Sequence, residues 1–359
     1  MKLELCVIAL GTAFTLYAQP NNDVYLQHNL ISDIHGQGEH FDQNLANPWG
    51  ISFNPTGPFW VSDNHTGLVT VYNGAGEPAP AGNPIIVTVP PPMNGTPPSA
   101  PTGQVFNGTV DFNLAPAKPA AFLFATEDGT ISGWNPMVDP RNAILKVDNS
   151  AASAVYKGLA MGSNAIGNFL FATNFQAGTI DVFDTNFVPV ISPLAFVDTT
   201  IPAGFAPFNI ENIGGQLYVT YAKQDSAKHD DVAGDGNGFI DVFDTSGVLL
   251  RRFASQGPLN SPWGMAVAPS NFGAFSNTLL VGNFGNGRIN AFNLSTGAFV
   301  GQMLEPGGRP LTIQGLWGLT FGNGGSAGSR DRLYFTAGIP GGGEVEDHGQ
   351  FGEIRPLRP

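Results

Sequence analysis

Cysteine, charge and long apolar runs are all scarce in this 359-residue chain. The single cysteine, Cys6, lies in an N-terminal apolar stretch, so a processed chain would contain no disulfide and would depend on its hydrophobic core. Charged residues make up only 12% of the sequence, which leaves few of the Glu- and Lys-rich segments that favour long helices. Beyond the N-terminus, no segment is apolar and long enough to span a bilayer.

Residues 1–18 resemble a secretory signal peptide. Lys2 precedes an apolar run over residues 3–17, and Ala18 supplies a small residue before a cut at Gln19. The run is short for a membrane span. The sequence therefore predicts an exported protein, periplasmic or extracellular, in which residues 19–359 form a single domain.

Acidic residues outnumber basic ones, 28 to 15, and the formal net charge is −13. A surface of this sign repels phosphate backbones and anionic lipids, which argues against nucleic-acid and membrane-surface roles. The same surface suits Ca²⁺ or a cationic ligand. The alternative explanation is that the charge serves solubility alone.

Glycine (47 residues) and proline (29 residues) are abundant, and one short pattern recurs six times. Each copy has the form of Trp-Gly followed by an apolar residue, or a close variant, at a period of about 54 residues. A regular period near fifty in a strand-rich chain is typical of a propeller. The third positions of the six copies are Gly50, Gly103, Gly158, Asn209, Gly264 and Gly318.

Each repeat carries four strand signals, which predicts blades starting near residues 47, 100, 155, 206, 261 and 315. The third strand alternates strictly from a glycine, as in residues 178–183 and 238–243. A fourth strand is predicted in five repeats, at residues 85–89, 143–147, 194–197, 248–253 and 298–303. The sixth repeat lacks one, and residues 25–30 can supply it. Such an exchange closes the ring and removes exposed sheet edges. We expect an all-β, monomeric six-bladed β-propeller with four-stranded blades.

Five segments carry a resemblance to known proteins: residues 29–34, 47–51, 57–64, 221–225 and 228–234. The Trp-Gly repeat resembles NHL-type six-bladed propellers. More closely, these segments resemble an uncharacterised exported family known in bacteria that also carry PEP-CTERM-type sorting tails. The resemblance implies the fold and export, and because that family has no assigned activity it implies no catalytic residue.

The first strands line the channel of a propeller, and one of them carries unusual polar residues. In the aligned column Ser52, Val105, Ala160, Glu211, Ala266 and Thr320, only Glu211 is charged. Six-bladed lactonases and related lyases bind Ca²⁺ in such a channel, and Ca²⁺ takes six to eight oxygen ligands. Turn residues after the second strands could add further oxygens, although the same residues could instead cap blade turns. The candidate metal ligands are Glu211, Asn212, Asp63, Glu127, Asn174 and Asn283.

No acid, base and nucleophile converge in the sequence, so no catalytic residue and no organic cofactor are predicted. Trp49, Trp263 and Trp317 recur in phase with the blades and are predicted to be packing residues. The leading hypothesis is a non-enzymatic exported propeller that binds a protein, peptide or glycan on a rim or in the channel. The alternative is a lactonase-like, Ca²⁺-dependent hydrolase or lyase with its metal in the central channel.

Overall fold

The computed structural model describes residues 24–192 and 195–357. The predicted signal peptide and Cys6 lie outside these residues. The described part of the chain is almost entirely β, with two single-turn 3₁₀ helices, Ser150–Ala152 and Gly273–Phe275. None of its helices has the length and apolar character needed to cross a membrane. The strands form six small sheets arranged about an axis, which confirms the predicted six-bladed β-propeller.

The strands of each blade run in order from the axis outward, and we number them in chain order. Blade 1 contains β3 (Pro48–Ser52), β4 (Phe59–Asp63), β5 (Leu68–Tyr72) and β6 (Ile86–Thr88). Blade 2 contains β7 (Pro101–Phe106), β10 (Phe122–Thr126), β11 (Thr130–Trp134) and β12 (Ile144–Asp148), with a small hairpin of β8 (Asn113–Ala115) and β9 (Lys118–Pro119) inserted. Blade 3 contains β13 (Tyr156–Ser163), β14 (Asn168–Asn174) and β15 (Thr179–Phe183).

The remaining three blades follow the same order. Blade 4 contains β16 (Phe205–Ile213), β17 (Gln216–Lys223), β18 (Phe239–Phe243) and β19 (Leu249–Ser255). Blade 5 contains β20 (Pro262–Val267), β21 (Thr278–Asn283), β22 (Ile289–Asn293) and β23 (Phe299–Gln302). Blade 6 contains β24 (Leu316–Phe321), β25 (Leu333–Ile339), β26 (His348–Pro356) and the N-terminal strand β1 (Tyr25–Ser32), beside which lies β2 (His40–Phe41).

The first strands of the six blades surround the axis, each packed against the next. The strand pairing of every first strand is interrupted near its Trp-Gly position. Such bulges bend a strand and redirect its side chains. Glycine recurs at this position because the first strands of neighbouring blades approach closely. A Cβ at Gly50 would lie 2.4 Å from the carbonyl oxygen of Thr102.

The N-terminal strand closes the ring, as predicted. β1 pairs antiparallel with β26 from Tyr25 opposite Pro356 to Ser32 opposite Gln350. Its side chains enter the core of blade 6, where Leu30 and Ile31 are buried. The ring is therefore joined by a sheet built from both ends of the described chain, and no blade edge is left open at this junction.

The predicted fourth strand of blade 3, residues 194–197, is wrong in its described part. Residues 195–197 form a turn and irregular structure. The Phe196 N–H donates to the carbonyl of Gly247, and the Phe196 ring packs between Phe171 and Phe243. This segment therefore lies in the contact between blades 3 and 4, where the partly buried Phe196 ring packs against the core.

The core consists of apolar clusters between adjacent blades. Between blades 1 and 2, the Trp60 ring stacks on Phe122 with 4.1 Å between ring centroids, and it also contacts Trp134. Both faces of each blade are buried in this way, which explains why the middle strands have apolar residues at almost every position.

Candidate functional site

Six equivalent residues, each just before the recurring glycine position, form a ring at one end of the axis. We call this end the upper face: the first strands begin there and the second strands end there. Five of the six are aromatic or uncharged, and Lys157 is the exception. The ring consists of Trp49, Thr102, Lys157, Phe208, Trp263 and Trp317.

Aromatic side chains fill the channel at this level. Trp49 and Trp317 stack with centroids 3.4 Å apart, and Trp263 meets both rings edge-on. Phe284 stacks on the other side of Trp317 at 3.9 Å. The tryptophans are buried, as predicted for packing residues. We call this group the aromatic plug; it consists of Trp49, Phe175, Phe208, Trp263, Phe284 and Trp317.

Lys157 places a buried positive charge beside the plug. Its side chain is 2% exposed, and its ammonium lies 5.1 Å from the Trp49 ring centroid and 5.8 Å from that of Phe175. The ammonium donates to the Glu127 carboxylate and, over 3.3 Å, to Asp230. Burial alone would lower the pKa of Lys157, but Glu127 and Asp230 raise it overall, so the amine stays protonated.

The loop over residues 223–237 carries two of the charged residues to this position. Gln224 anchors the loop by donating to the carbonyl of Phe175 over 2.5 Å, and the Val232 N–H donates to the backbone carbonyl of Lys223. The Asp230 carboxylate, which accepts from Lys157, lies 2.8 Å from His229 Nδ1.

Blades 1 and 6 complete the group. Asn64 donates to Glu127 over 2.9 Å, and Asn47 donates to Glu346 over 2.9 Å. The Trp317 indole also donates to Asn47, which ties this rim to the plug. We call the whole group the upper mouth; it consists of Asn47, Asn64, Glu127, Lys157, His229, Asp230 and Glu346.

The upper mouth carries an excess of carboxyl groups whose pKa values diverge. The contact with His229 lowers the pKa of Asp230 to about 2, and the same contact raises the pKa of His229. Burial raises the pKa of Glu346 to about 7 and that of Asp231 to about 6. At neutral pH, Asp230 therefore carries full charge, whereas Glu346 titrates near the working pH.

Glu346→Gln should stabilise the protein in alkaline solution and leave it unchanged in acid. The folded pKa of Glu346, about 7, exceeds its ordinary value of 4.5, so the wild-type carboxyl contributes fully below pH 4.5 and loses that contribution as pH rises through 7. Glutamine stays neutral throughout and can still accept from Asn47. We expect a gain of about 2–3 kcal/mol in unfolding free energy at pH 8 and none at pH 4.5, measured by denaturant titration. Glu344→Gln, at an exposed site two residues away, should show no such dependence.

Below the plug lies a small cavity of about 20 Å³, which we call the central cavity. Glu211 projects here from β16, as predicted for a channel residue. Its carboxylate accepts no hydrogen bond from the described residues, and burial raises its pKa to about 8. The volume holds one water or one ion but no organic molecule. The lining residues are Gly50, Ile51, Gly103, Gln104, Leu159, Asn209, Glu211, Trp263, Gly318 and Leu319.

The predicted metal ligands do not form one set. Asn174 and Asn283 hold turns: Asn174 accepts from the N–H of Ala177 over 3.2 Å, and Asn283 donates to the carbonyl of Pro258 over 2.8 Å. Asp63 is buried and accepts from Thr70 over 2.8 Å, and burial raises its pKa well above the usual range. None of these three residues lines the central cavity with Glu211, and the Oδ1 atoms of Asp63 and Asn283 are buried without a hydrogen-bond partner among the described residues.

The other predicted ligands, Asn212 and Glu127, also lie apart from Glu211. Asn212 is exposed and donates to the carbonyl of Met161, so it lies outside the central cavity that Glu211 lines. Glu127 belongs to the upper mouth. There its oxygen, one of Asp230 and a ring nitrogen of His229 lie within 4.8 Å of one another, an arrangement that resembles a metal site. The ammonium of Lys157 already contacts both carboxylates, so a metal ion would have to displace it.

Sequence reasoning missed Lys157, His229, Asp230 and Glu346 as site residues. Lys157 could have been identified from the sequence, because it is the one cation among six equivalent repeat positions that are otherwise aromatic or uncharged. His229 and Asp230 stood in a segment noted only for family resemblance. Glu346 belongs to no repeat pattern, so its position depends entirely on the folded loop.

The fold and the mouth together define a six-bladed β-propeller whose channel is sealed near one end by aromatic side chains. No family model matches the sequence. An uncharacterized protein of Acanthamoeba polyphaga mimivirus is 36% identical over 299 residues, covering 81% of this chain and 72% of that protein. A second one from the same virus is 36% identical over 300 residues, covering 81% of this chain and 77% of that protein.

The chain belongs to the family of these mimivirus proteins. Since these relatives are viral, they give no support to a bacterial origin or to a link with PEP-CTERM sorting. Among solved structures, a streptogramin B lyase matches with a TM-score of 0.51 at 14% identity over 93% of this chain and 97% of that one. A glucose dehydrogenase matches with a TM-score of 0.52 at 12% identity over 93% of this chain and 100% of that one. At these identities, the likeness shows the fold alone.

Proposed function

We propose that this protein is a non-catalytic binding propeller and that its upper mouth holds a Lys or Arg side chain of a protein or peptide ligand. One observation carries the proposal: carboxylates from blades 2, 4 and 6 converge around a single sequestered cation at an accessible end of the axis. Asp230 remains 67% exposed in its side chain, so the charge is available to a partner. The plug below blocks passage through the channel.

The charge of the mouth supports a basic ligand over a neutral glycan. The mouth holds three carboxyl groups, on Glu127, Asp230 and Glu346, against the side chains of Lys157 and His229, and the chain as a whole carries −13. An acidic concave site attracts cations and raises their association rate, an effect that salt weakens. The aromatic rings lie buried in the plug, so they offer no exposed platform for sugar stacking.

An array of immobilised, N-acetylated 12-residue peptides with graded Lys and Arg content tests this function. Binding should rise with basic content and fall at high salt. The double variant Asp230→Asn/Glu346→Gln, which leaves the Lys157–Glu127 pair intact, should weaken binding at least tenfold. Glu77→Gln removes a charge from an exposed turn between the third and fourth strands of blade 1, away from the mouth, and should change nothing. Equal binding by the double variant, or binding confined to a neutral glycan array, would contradict the proposal.

The second candidate function is a Ca²⁺-dependent hydrolase or lyase with Glu211 as a metal ligand. The observation in its favour is the Glu211 carboxylate, which faces the central cavity without a protein partner. The cavity volume of about 20 Å³ counts against it, because a substrate has no room beside Glu211. Turnover of a lactone and ester panel in Ca²⁺, abolished both by chelator and by Glu211→Gln, would establish this function in place of the binding role.

We also propose that the protein is exported after cleavage between Ala18 and Gln19. The support is the leader-like sequence of residues 1–18. N-terminal sequencing of protein recovered from the medium or periplasm tests it: a mature N-terminus at Gln19 is expected, and an intact Met1 in the cytoplasmic fraction alone would refute export.

A further inference from the structure

Two amide side chains that line the central cavity donate hydrogen bonds through nitrogen, while their oxygens accept none from the described residues. Gln104 donates through Nε2 to the carbonyls of Gly50 and Trp60, both over 2.7 Å. Because both partners are acceptors, the orientation of the amide is fixed. Its Oε1 atom is buried and has no hydrogen-bond partner, in a residue that is 7% exposed. A buried acceptor left in this state is destabilising unless something supplies the missing contact.

Asn209 repeats this arrangement two blades away, on blade 4. Its Nδ2 atom donates to the carbonyl of Trp263 over 2.9 Å, and its Oδ1 atom accepts nothing from the described residues. Asn209 stands where five other blades have glycine, and a Cβ on Gly158 would lie 2.4 Å from the Asn209 oxygen. The exception to the glycine column therefore places an oxygen against the first strand of blade 3.

Glu211 lines the same cavity two residues further along β16. Three residues that line one space thus carry acceptor oxygens without a donor among the described residues. From these contacts we infer that the central cavity binds one hard, oxygen-seeking metal cation through Glu211, Gln104 and Asn209. Oxygen ligands of this kind suit Ca²⁺ and Na⁺, and the volume of about 20 Å³ admits one such ion.

The cation would link blade 2, which supplies Gln104, to blade 4, which supplies Asn209 and Glu211. It would thereby join two first strands that are not neighbours in the ring and satisfy the orphaned oxygens. This role is structural and does not depend on the ligand of the upper mouth. The rival occupant is a water molecule, because Trp263 also lines the cavity and its buried indole N–H has no acceptor among the described residues.

The test uses the full folded protein, stripped with chelator and returned to buffers of Ca²⁺, Na⁺ or N-methylglucamine, a cation too large to enter. We expect one equivalent of Ca²⁺ by elemental analysis after desalting if the site is divalent, or a higher melting temperature in Na⁺ than in N-methylglucamine if it is monovalent. Glu211→Gln, which keeps the side-chain volume, should abolish whichever effect is seen while leaving the circular dichroism spectrum unchanged.

Two further variants locate the ion. Asn212→Ala changes the exposed neighbour that bonds to Met161 and should retain the full effect. Asp230→Asn should also retain it, whereas loss in that variant would move the ion to the upper mouth and overturn the inference. Identical melting temperatures in all three cations, with no retained metal, would assign the cavity to water.

Discussion

A chain lacking residues 24–32 should lose its closed native fold and self-associate. These residues contain β1, whose buried side chains Tyr25, Leu30 and Ile31 are each at most 3% exposed. Burying three such side chains contributes roughly 5–8 kcal/mol, comparable with the whole stability of an ordinary domain. The deletion also exposes the edge of β26, which pairs with β1 along its length. We expect soluble oligomers or aggregate by gel filtration with light scattering, because an open sheet edge recruits other chains.

Adding the missing strand as a peptide distinguishes loss of closure from general damage. A synthetic peptide of residues 24–32 should reverse the self-association and raise the melting temperature in a dose-dependent way, and a scrambled peptide of the same composition should not. A truncated chain with the elution volume and melting midpoint of the wild type would show that the ring does not need β1.

Lys157→Met should destabilise the protein by about 3–5 kcal/mol, the range seen when one partner of a buried ion pair is removed. Methionine fills a similar volume beside Trp49, so lost packing is a minor part of the effect. The major part is the Glu127 carboxylate, whose side chain is only 13% exposed and which would lose its counterion. Denaturant unfolding at pH 7 measures the change.

The double variant Lys157→Met/Glu127→Gln supplies the decisive comparison. Removing both charges should recover at least half of the loss, because the penalty arises from an uncompensated charge and not from the missing pair itself. Lys223→Met, at the exposed end of β17, should change stability by less than about 0.5 kcal/mol. Equal destabilisation in the single and double variants would mean that Lys157 acts through packing.

The fold was predictable because propeller signals are local and repeated. The Trp-Gly position marks the start of each first strand, and period-2 alternation marks the third strands. The unmatched strand at residues 25–30 was predictable by counting, since one blade lacked a fourth strand. The prediction for residues 194–197 failed because it depended on a contact that is not local. The Phe196 ring packs against Phe243 of the neighbouring blade, and no local sequence pattern predicts that contact.

By itself, the sequence determined the number of blades, their spacing along the chain, the closure by β1 and the position of Glu211 on the channel. Each of these follows from periodicity, which is a property of neighbouring residues. Only the tertiary structure decided that Lys157 meets Glu127, 30 residues away, and Asp230, 73 residues away. Ring closure brings distant loops to one mouth, and loops have no period from which such a meeting can be predicted.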